Sequence, residues 1–337
     1  MLLISFGTRP EYIKIKPLLE IFEDTIPYAL LFTGQHTSLL EHVVDAHDVR
    51  ELNIAPGENR LDSIVASIMN QGSIFEGISA VMVQGDTTSA FAVALASFHR
   101  KIDIIHLEAG LRTGDLQNPY PEEFNRQAIS RMATLHLCPT ETSAINLAQE
   151  NITDNVYVVG NTVLDNLKDV STSYGNTILV TMHRRENHRI MDQWFTAIND
   201  LAGEYPQYDF ILPIHPNPNV QRHRALLTDV KVVPPLDHDE FVRLLAHCRF
   251  AITDSGGLQE EGSFLRKKCI VCRKTTERTE GINVFSYMCH HPRELEVFFQ
   301  FLELEENYKV SEDLECPYGK GTSAQQILNV LKEVKNQ

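Results

Sequence analysis

Short apolar runs alternate with helical patterns along almost the whole chain, and that alternation restricts the fold more than any other feature. In the first half, Leu2–Phe6, Tyr28–Phe32, Ala80–Val83, Ile102–His106, Leu135–Cys138 and Val156–Val159 read as strands. Helical spacing fills the gaps: Ile15, Leu18, Leu19 and Phe22 form one stripe, and Thr88–Phe98 is Ala-rich and apolar on most sides, as a buried helix is. Thr8 and Glu11 predict a capping box at the first helix start, with Pro10 in its first turn. The pattern fades over Lys168–Asn176 and then resumes. Strands are expected at Ile178–Thr181, Phe210–Ile214, Val230–Val233, Phe250–Thr253 and Cys269–Val271; helices at Met191–Glu204, near Val220–Leu227, at Asp239–His247 and at Leu258–Leu265. Such alternation implies parallel sheets covered by helices. The fold class is therefore α/β: two Rossmann-like, doubly wound domains with a cleft between them. A length of 337 residues agrees with two domains.

Thirty basic against 45 acidic residues leave a net charge of -15, which argues against a nucleic-acid or anionic-membrane partner. The N-terminal apolar run is too short for a signal peptide, and no run reaches membrane-spanning length. Six scattered cysteines fit a reducing compartment, so a cytoplasmic location is expected. Cys269 and Cys272, with Cys289, His290 and His291 beyond, suggest zinc; a strand through CIVC would turn the pair to opposite faces, and no metal is predicted.

In parallel α/β sheets, ligands gather at the carboxyl ends of the strands. Asp86 ends AVMVQGD, Glu108 ends IIHLE, and Glu122 follows Pro121 at a helix start. Singly they are explained by helix capping, a structural carboxylate paired with Arg112, and the helix dipole. Jointly they suit proton transfer, because crowded carboxylates raise one another's proton affinity. SFGTRPEYIK turns from strand to helix, where free N–H groups would favour an anion and Arg9 and Lys14 would add charge. It carries neither the dinucleotide fingerprint nor the P-loop ending. In the second half, His215 follows a strand and lies between prolines. DSGGLQEE opens a helix whose Ser255, Gly256 and Gly257 offer N–H groups to a diphosphate, while Glu261 lies one turn on and Arg278 adds an anion ligand.

These segments resemble the non-hydrolysing UDP-N-acetylglucosamine 2-epimerase family. The matches run in family order: GTRPE, TGQH, GDTT, HLEAGLRTGD, PYPEEFNR, CPTETS, VGNTVLD, HRREN, PIHPNPNV, DSGGLQEE, TTER and PYGKG. The resemblance implies a GT-B-like fold. The N-terminal domain would span 1–170 plus 321–337 and carry the carboxylates; the UDP-binding domain would span 171–320. It implies reversible epimerisation at C2 by elimination of UDP to a glycal and re-addition, with no cofactor, in a homodimer serving polysaccharide biosynthesis. Asp86, Glu108 and Glu122 would handle protons, with base and acid unassigned among them, and His215 would assist UDP departure. Arg9, Lys14, Ser255, Gly256, Gly257, Glu261 and Arg278 would hold UDP. Gln35, His36, Arg184 and Arg185 match positions of a site for a second, activating UDP-sugar. The chain departs from the family pattern at His188–Ile190, where the loop is short, at Thr279 in place of Pro, and over INVFSYMCHH. A related UDP-2-acetamido sugar, hydrolysis to N-acetylmannosamine and UDP, and glycosyl transfer on a GT-B fold are the alternatives.

Overall fold

In the computed structural model, residues 1–34, 49–52, 54–55 and 57–335 are described. The chain divides into two units: unit 1 is Met1–Asn166 with Gly319–Gln337, and unit 2 is Leu167–Tyr318.

Unit 1 is built on β1 (Leu2–Phe6), β2 (Tyr28–Phe32), β3 (Val49–Glu51), β4 (Ala80–Gln84), β5 (Asp103–Leu107), β6 (Leu135–Cys138) and β7 (Val156–Val158). They form one parallel sheet in the order β3-β2-β1-β4-β5-β6-β7. Every residue of β1 is buried, because helices cover both faces. The two-residue period of a strand divides its side chains: Leu2, Ile4 and Phe6 join a core with the Arg9–Phe22 helix, while Leu3 joins the opposite core with Val81, Val83 and the alanines of the Thr88–His99 helix. The predicted capping box of Thr8 and Glu11 is present. The last helix, Ser323–Lys335, returns to unit 1 and buries Ala324, Ile327 and Leu328 against the first.

Unit 2 contains β8 (Thr177–Thr181), β9 (Asp209–Pro213), β10 (Lys231–Val233), β11 (Phe250–Thr253), β12 (Cys269–Val271) and β13 (Ser286–Met288), parallel in the order β10-β9-β8-β11-β12-β13. Its core joins Ile178, Val180 and Ile252 from the sheet to Trp194, Phe195 and Phe299 from helices. In both units the strand order reverses after the first strand, between β1 and β4 and between β8 and β11. Loops there leave in opposite directions and open a crevice at the carboxyl edge.

Two expectations change. The helix near Val220–Leu227 is one short turn, Pro218–Gln221, followed by a 3-10 turn, Arg224–Leu226. Only Val220 is buried in the first turn and nothing in the second, so no apolar face supports continuation. The edge strands β3 and β13 lack sequence signatures because each spans three residues with little or no buried apolar face.

Candidate active site

Gln84, the last residue of β4, pairs with Leu107, the last of β5. Asp86 and Glu108 therefore leave neighbouring strands at the same edge. Glu108 takes a left-handed backbone, φ +66°, directly after its strand. Its buried carboxylate is heavily bonded: Lys14 Nζ lies 2.7 Å from Oε1 and 2.6 Å from Oε2, Asn161 Nδ2 donates to Oε1 at 3.2 Å, and Gln84 Nε2 donates to Oε2. Gly85, φ +68°, passes close by; a Cβ there would stand 3.5 Å from Glu108 Oε2.

The backbone around Asp86 is pinned from several elements. Gly85 N–H donates to Leu107 O at 2.9 Å, His106 Nε2 donates to Gly85 O at 2.8 Å, and Asn125 Nδ2 donates to Asp86 O at 2.9 Å. The buried Arg126 guanidinium pairs with the Asp86 carboxylate. Asn125 and Arg126 belong to the helix Glu122–Met132, which is entered through cis peptides at Asn118–Pro119 and Tyr120–Pro121. Glu122 starts that helix four residues before Arg126, so both lie on one face. Asp86 and Glu108 thus leave adjacent strand ends beside Gly85, and Arg126, which pairs with Asp86, also pairs with Glu123 at 3.3 Å on the helix that Glu122 begins. The neighbouring Glu123 is fully buried and structural, accepting from Thr113 N at 3.0 Å and Gly114 N at 3.3 Å.

The anion site expected at the first βα turn is already filled. Glu11 Oε2 accepts from Gly7 N at 3.0 Å, Thr8 N at 2.7 Å and Thr8 Oγ1 at 2.7 Å, while Oε1 accepts from Thr87 Oγ1 at 2.7 Å. The N–H groups expected to be free are spent on an internal carboxylate. Burial raises the Glu11 pKa, and the four donors oppose that rise. Arg9 is exposed, whereas Lys14, expected to hold phosphate, has its ammonium on Glu108. His106 and His136 lie side by side on β5 and β6, and burial lowers them to about 3 and about 4, so both are neutral.

Unit 2 has its own polar centre. Asp254 is fully buried at the end of β11; it accepts from His183 N at 3.0 and 2.9 Å, Arg184 N at 2.9 Å and Asn187 Nδ2 at 3.1 Å. It thereby fixes the HRREN segment beside the helix Gly256–Phe264. The His183 ring stacks on His215, with centroids 5.4 Å apart, and burial lowers His183 to about 4. His215 is exposed, and its Nδ1 accepts from Asn217 N at 3.1 Å, which leaves Nε2 carrying the proton of the neutral ring.

At the start of the Gly256–Phe264 helix, Ser255 is half-buried and a Cβ on Gly257 would meet nothing within 4 Å. A Cβ on Gly256 would come within 2.9 Å of Glu277 Oε1 and 3.1 Å of Arg278 Nη1. Arg278 is buried against this helix start, paired with Glu260 at 3.0 Å and with Glu277. Arg273 is also fully buried and joins Glu186 of HRREN, at 2.8 Å, to Glu277, at 3.2 Å. Glu261 accepts from His238 Nε2 at 3.1 Å. Arg184 is half-buried and Arg185 exposed; Gln35 and His36 lie outside the described residues.

Sequence reasoning missed Gln84, Asn161 and Arg273, quoted Arg126 and Asp254 only as members of longer motifs, and took Glu11 only as a cap. A buried charge needs a partner, so arginines next to acidic motifs were the available signal. Among the described residues, no group of three or more His, Cys, Asp or Glu side chains is placed to hold a metal. Cys272 packs into the unit 2 core with Cys289, whereas Cys269 faces Gly262.

Comparison with known proteins adds a second line of observation. A family profile described as UDP-N-acetylglucosamine 2-epimerase matches residues 20–332. The chain is 36% identical over 376 aligned positions to the UDP-N-acetylglucosamine 2-epimerase of Campylobacter jejuni, covering 99% of this chain and 98% of that protein. It is 36% identical to the Bacillus subtilis enzyme of the same name, covering 97% and 93%. Its fold is similar to a Neisseria meningitidis UDP-GlcNAc 2-epimerase crystallised with UDP-GlcNAc, with a TM-score of 0.89, 35% identity and coverage of 98% and 99%. It is also similar to a Methanocaldococcus jannaschii UDP-GlcNAc 2-epimerase in complex with UDP-GlcNAc and UDP, with a TM-score of 0.82, 27% identity and coverage of 98% and 99%.

Proposed function

The chain belongs to the UDP-N-acetylglucosamine 2-epimerase family, and from that membership we propose that it interconverts UDP-N-acetylglucosamine and UDP-N-acetylmannosamine by inverting C2. Loss of the C2 proton accompanies breakage of the bond from C1 to the diphosphate oxygen, giving a glycal and UDP. A proton then returns to C2 from the opposite face, and the diphosphate oxygen rebonds to C1. Atoms and electrons balance without an added oxidant or reductant.

Two faces of one carbon require two proton-handling groups. The grouping of Asp86 and Glu108 at the ends of adjacent strands, with Glu122 on the face of Arg126, carries this reading. We assign proton transfer to these three. Lys14, Gln84 and Asn161 hold Glu108 in one orientation. UDP binding is assigned to Ser255, Gly256, Gly257, Glu261 and Arg278, with Arg9 as a further anion ligand. The helix-start N–H groups at Gly256 and Gly257 favour phosphate, and Arg278 stands beside them. His215, with its proton on Nε2, is assigned to the departing diphosphate. Arg184 and Arg185, with Gln35 and His36, are kept as ligands of a second UDP-sugar. The enzyme is read as a homodimer, and as cytoplasmic on the strength of six cysteines scattered along the chain.

The test is incubation of purified protein with UDP-N-acetylglucosamine and identification of products by NMR. The manno epimer at equilibrium with substrate is expected. Free N-acetylmannosamine with UDP as the main stable product would instead assign a hydrolysing enzyme.

A further inference from the structure

In nucleotide-binding units of this topology, the N–H groups after the first strand hold the pyrophosphate. Here a side chain of the protein takes that place. Glu11, only 2% exposed, accepts both N–H groups of the Gly7–Thr8 turn. A phosphate arriving there would meet a carboxylate. The other Glu11 oxygen reaches across to Thr87 Oγ1, on the loop that follows β4. Glu11 thus ties together the two loops that flank the strand-order reversal of unit 1, and Thr87 is the residue next to Asp86.

We infer that Glu11 is a positioning residue for the reaction proposed above: an internal anion that closes the unit 1 phosphate site and clamps the Gly7–Thr8 turn to Thr87, holding Asp86 in register. The inference rests on that functional reading. The remaining bonds around Asp86 show what the clamp completes. His106 fixes the Gly85 carbonyl, Asn125 the Asp86 carbonyl and Arg126 the Asp86 carboxylate. Glu11 supplies the side-chain bond to the residue that follows. Thr87 also caps the Thr88–His99 helix by accepting from Ala90 N at 3.0 Å, so its hydroxyl is held in one orientation. The clamp depends on reach and on accepting lone pairs. Aspartate, one methylene shorter, cannot span both loops. Glutamine keeps an oxygen for Gly7 and Thr8 and turns an NH2 toward the Thr87 hydroxyl.

The test uses the full-length enzyme with Glu11→Ala, Glu11→Asp and Glu11→Gln. Misplacing Asp86 is expected to lower kcat about 30- to 100-fold in the Ala and Asp variants. KM and the Kd for UDP stay within about threefold, since the Gly7 and Thr8 N–H groups are taken by Glu11 and most UDP ligands are assigned to unit 2. Glutamine recovers most of the loss, and amide hydrogen exchange over 85–88 accelerates in Glu11→Ala. A Glu11→Ala enzyme with kcat within about twofold of wild type overturns the inference. So does a Glu11→Gln enzyme as damaged as Glu11→Ala, which would give Glu11 a role in the chemistry itself. If Glu11→Ala does not fold, Thr87→Val and Thr87→Ser decide: loss of kcat with valine and recovery with serine support the clamp, and equal activities overturn it. A wild-type protein without epimerase activity would sink the functional reading; unchanged exchange over 85–88 in Glu11→Ala would then sink the clamp separately, and faster exchange would uphold it.

Discussion

Lys14 places its ammonium 2.6 Å from one oxygen of Glu108 and 2.7 Å from the other, joining the helix after β1 to the end of β5 across 94 residues of sequence. Both side chains are largely buried, at 14% and 5% exposure. Neither charge is tolerable there alone, and Lys14, Gln84 and Asn161 together hold the Glu108 carboxylate in one orientation.

Lys14→Met is therefore expected to strand a buried carboxylate and destabilise the protein by about 3–5 kcal/mol. Lys14→Met combined with Glu108→Gln should recover a large part of that loss. Urea unfolding of the two single variants and the double variant measures the coupling; additive losses would mean that the pair does not interact.

Asp86→Asn and Glu122→Gln are expected to lower kcat by about 10²-fold or more, the usual weight of a positioned acid or base. UDP binding, assigned to unit 2, should remain within about threefold by calorimetric titration. Loss of UDP affinity parallel to the loss of kcat would contradict the division of roles.

Gly256→Ala tests the nucleotide end. Its Cβ would stand 2.9 Å from Glu277 Oε1 and 3.1 Å from Arg278 Nη1, so the ion pair at the helix start must shift. UDP is expected to bind about tenfold more weakly, a change of roughly 1.4 kcal/mol. Gly257→Ala meets no neighbour within 4 Å and serves as the comparison for backbone effects alone.

His106 and His136 give a pH signature. Burial lowers their pKa values from 6.5 to about 3 and about 4, so the native state favours both neutral rings. Their stabilising contribution is complete above the unfolded value of 6.5 and declines as pH falls toward the folded values. Between pH 6.5 and 4 each histidine is expected to remove roughly 1.4 kcal/mol per pH unit. His106→Gln keeps a donor for Gly85 O without a titrating ring, and should reduce proton uptake on unfolding at pH 5 by about one. Urea unfolding across this range measures it; an unchanged slope would contradict burial as the cause.

The parallel sheets were legible because buried strands leave apolar runs and helices leave stripes. Leu2–Phe6, Tyr28–Phe32, Leu135–Cys138, Phe250–Thr253 and Met191–Glu204 are found at their expected bounds. Legibility ended where apolar patterning ended, at β3, at β13 and over Pro218–Leu226. The carboxylates were visible as strand-end residues, but their partners were not. Arg126 is 40 residues from Asp86, and Asn161 is 53 from Glu108. Local motifs show that a charge is present; only the fold shows what neutralises it. Arg278 was legible as an anion ligand, but Glu260 and Glu277, which hold it beside the Gly256 helix start, were not. Glu11 looked like a cap, and its second oxygen reaches a loop 76 residues away.

Solvent hydrogen at C2 tests the central claim most directly. UDP-N-acetylglucosamine is turned over in heavy water, and both epimers are read by NMR and mass spectrometry. Removal and return of the C2 proton through Asp86, Glu108 and Glu122 predicts one deuterium at C2 of the product, with incorporation abolished in Glu122→Gln. Manno product that keeps its original C2 hydrogen would contradict the account.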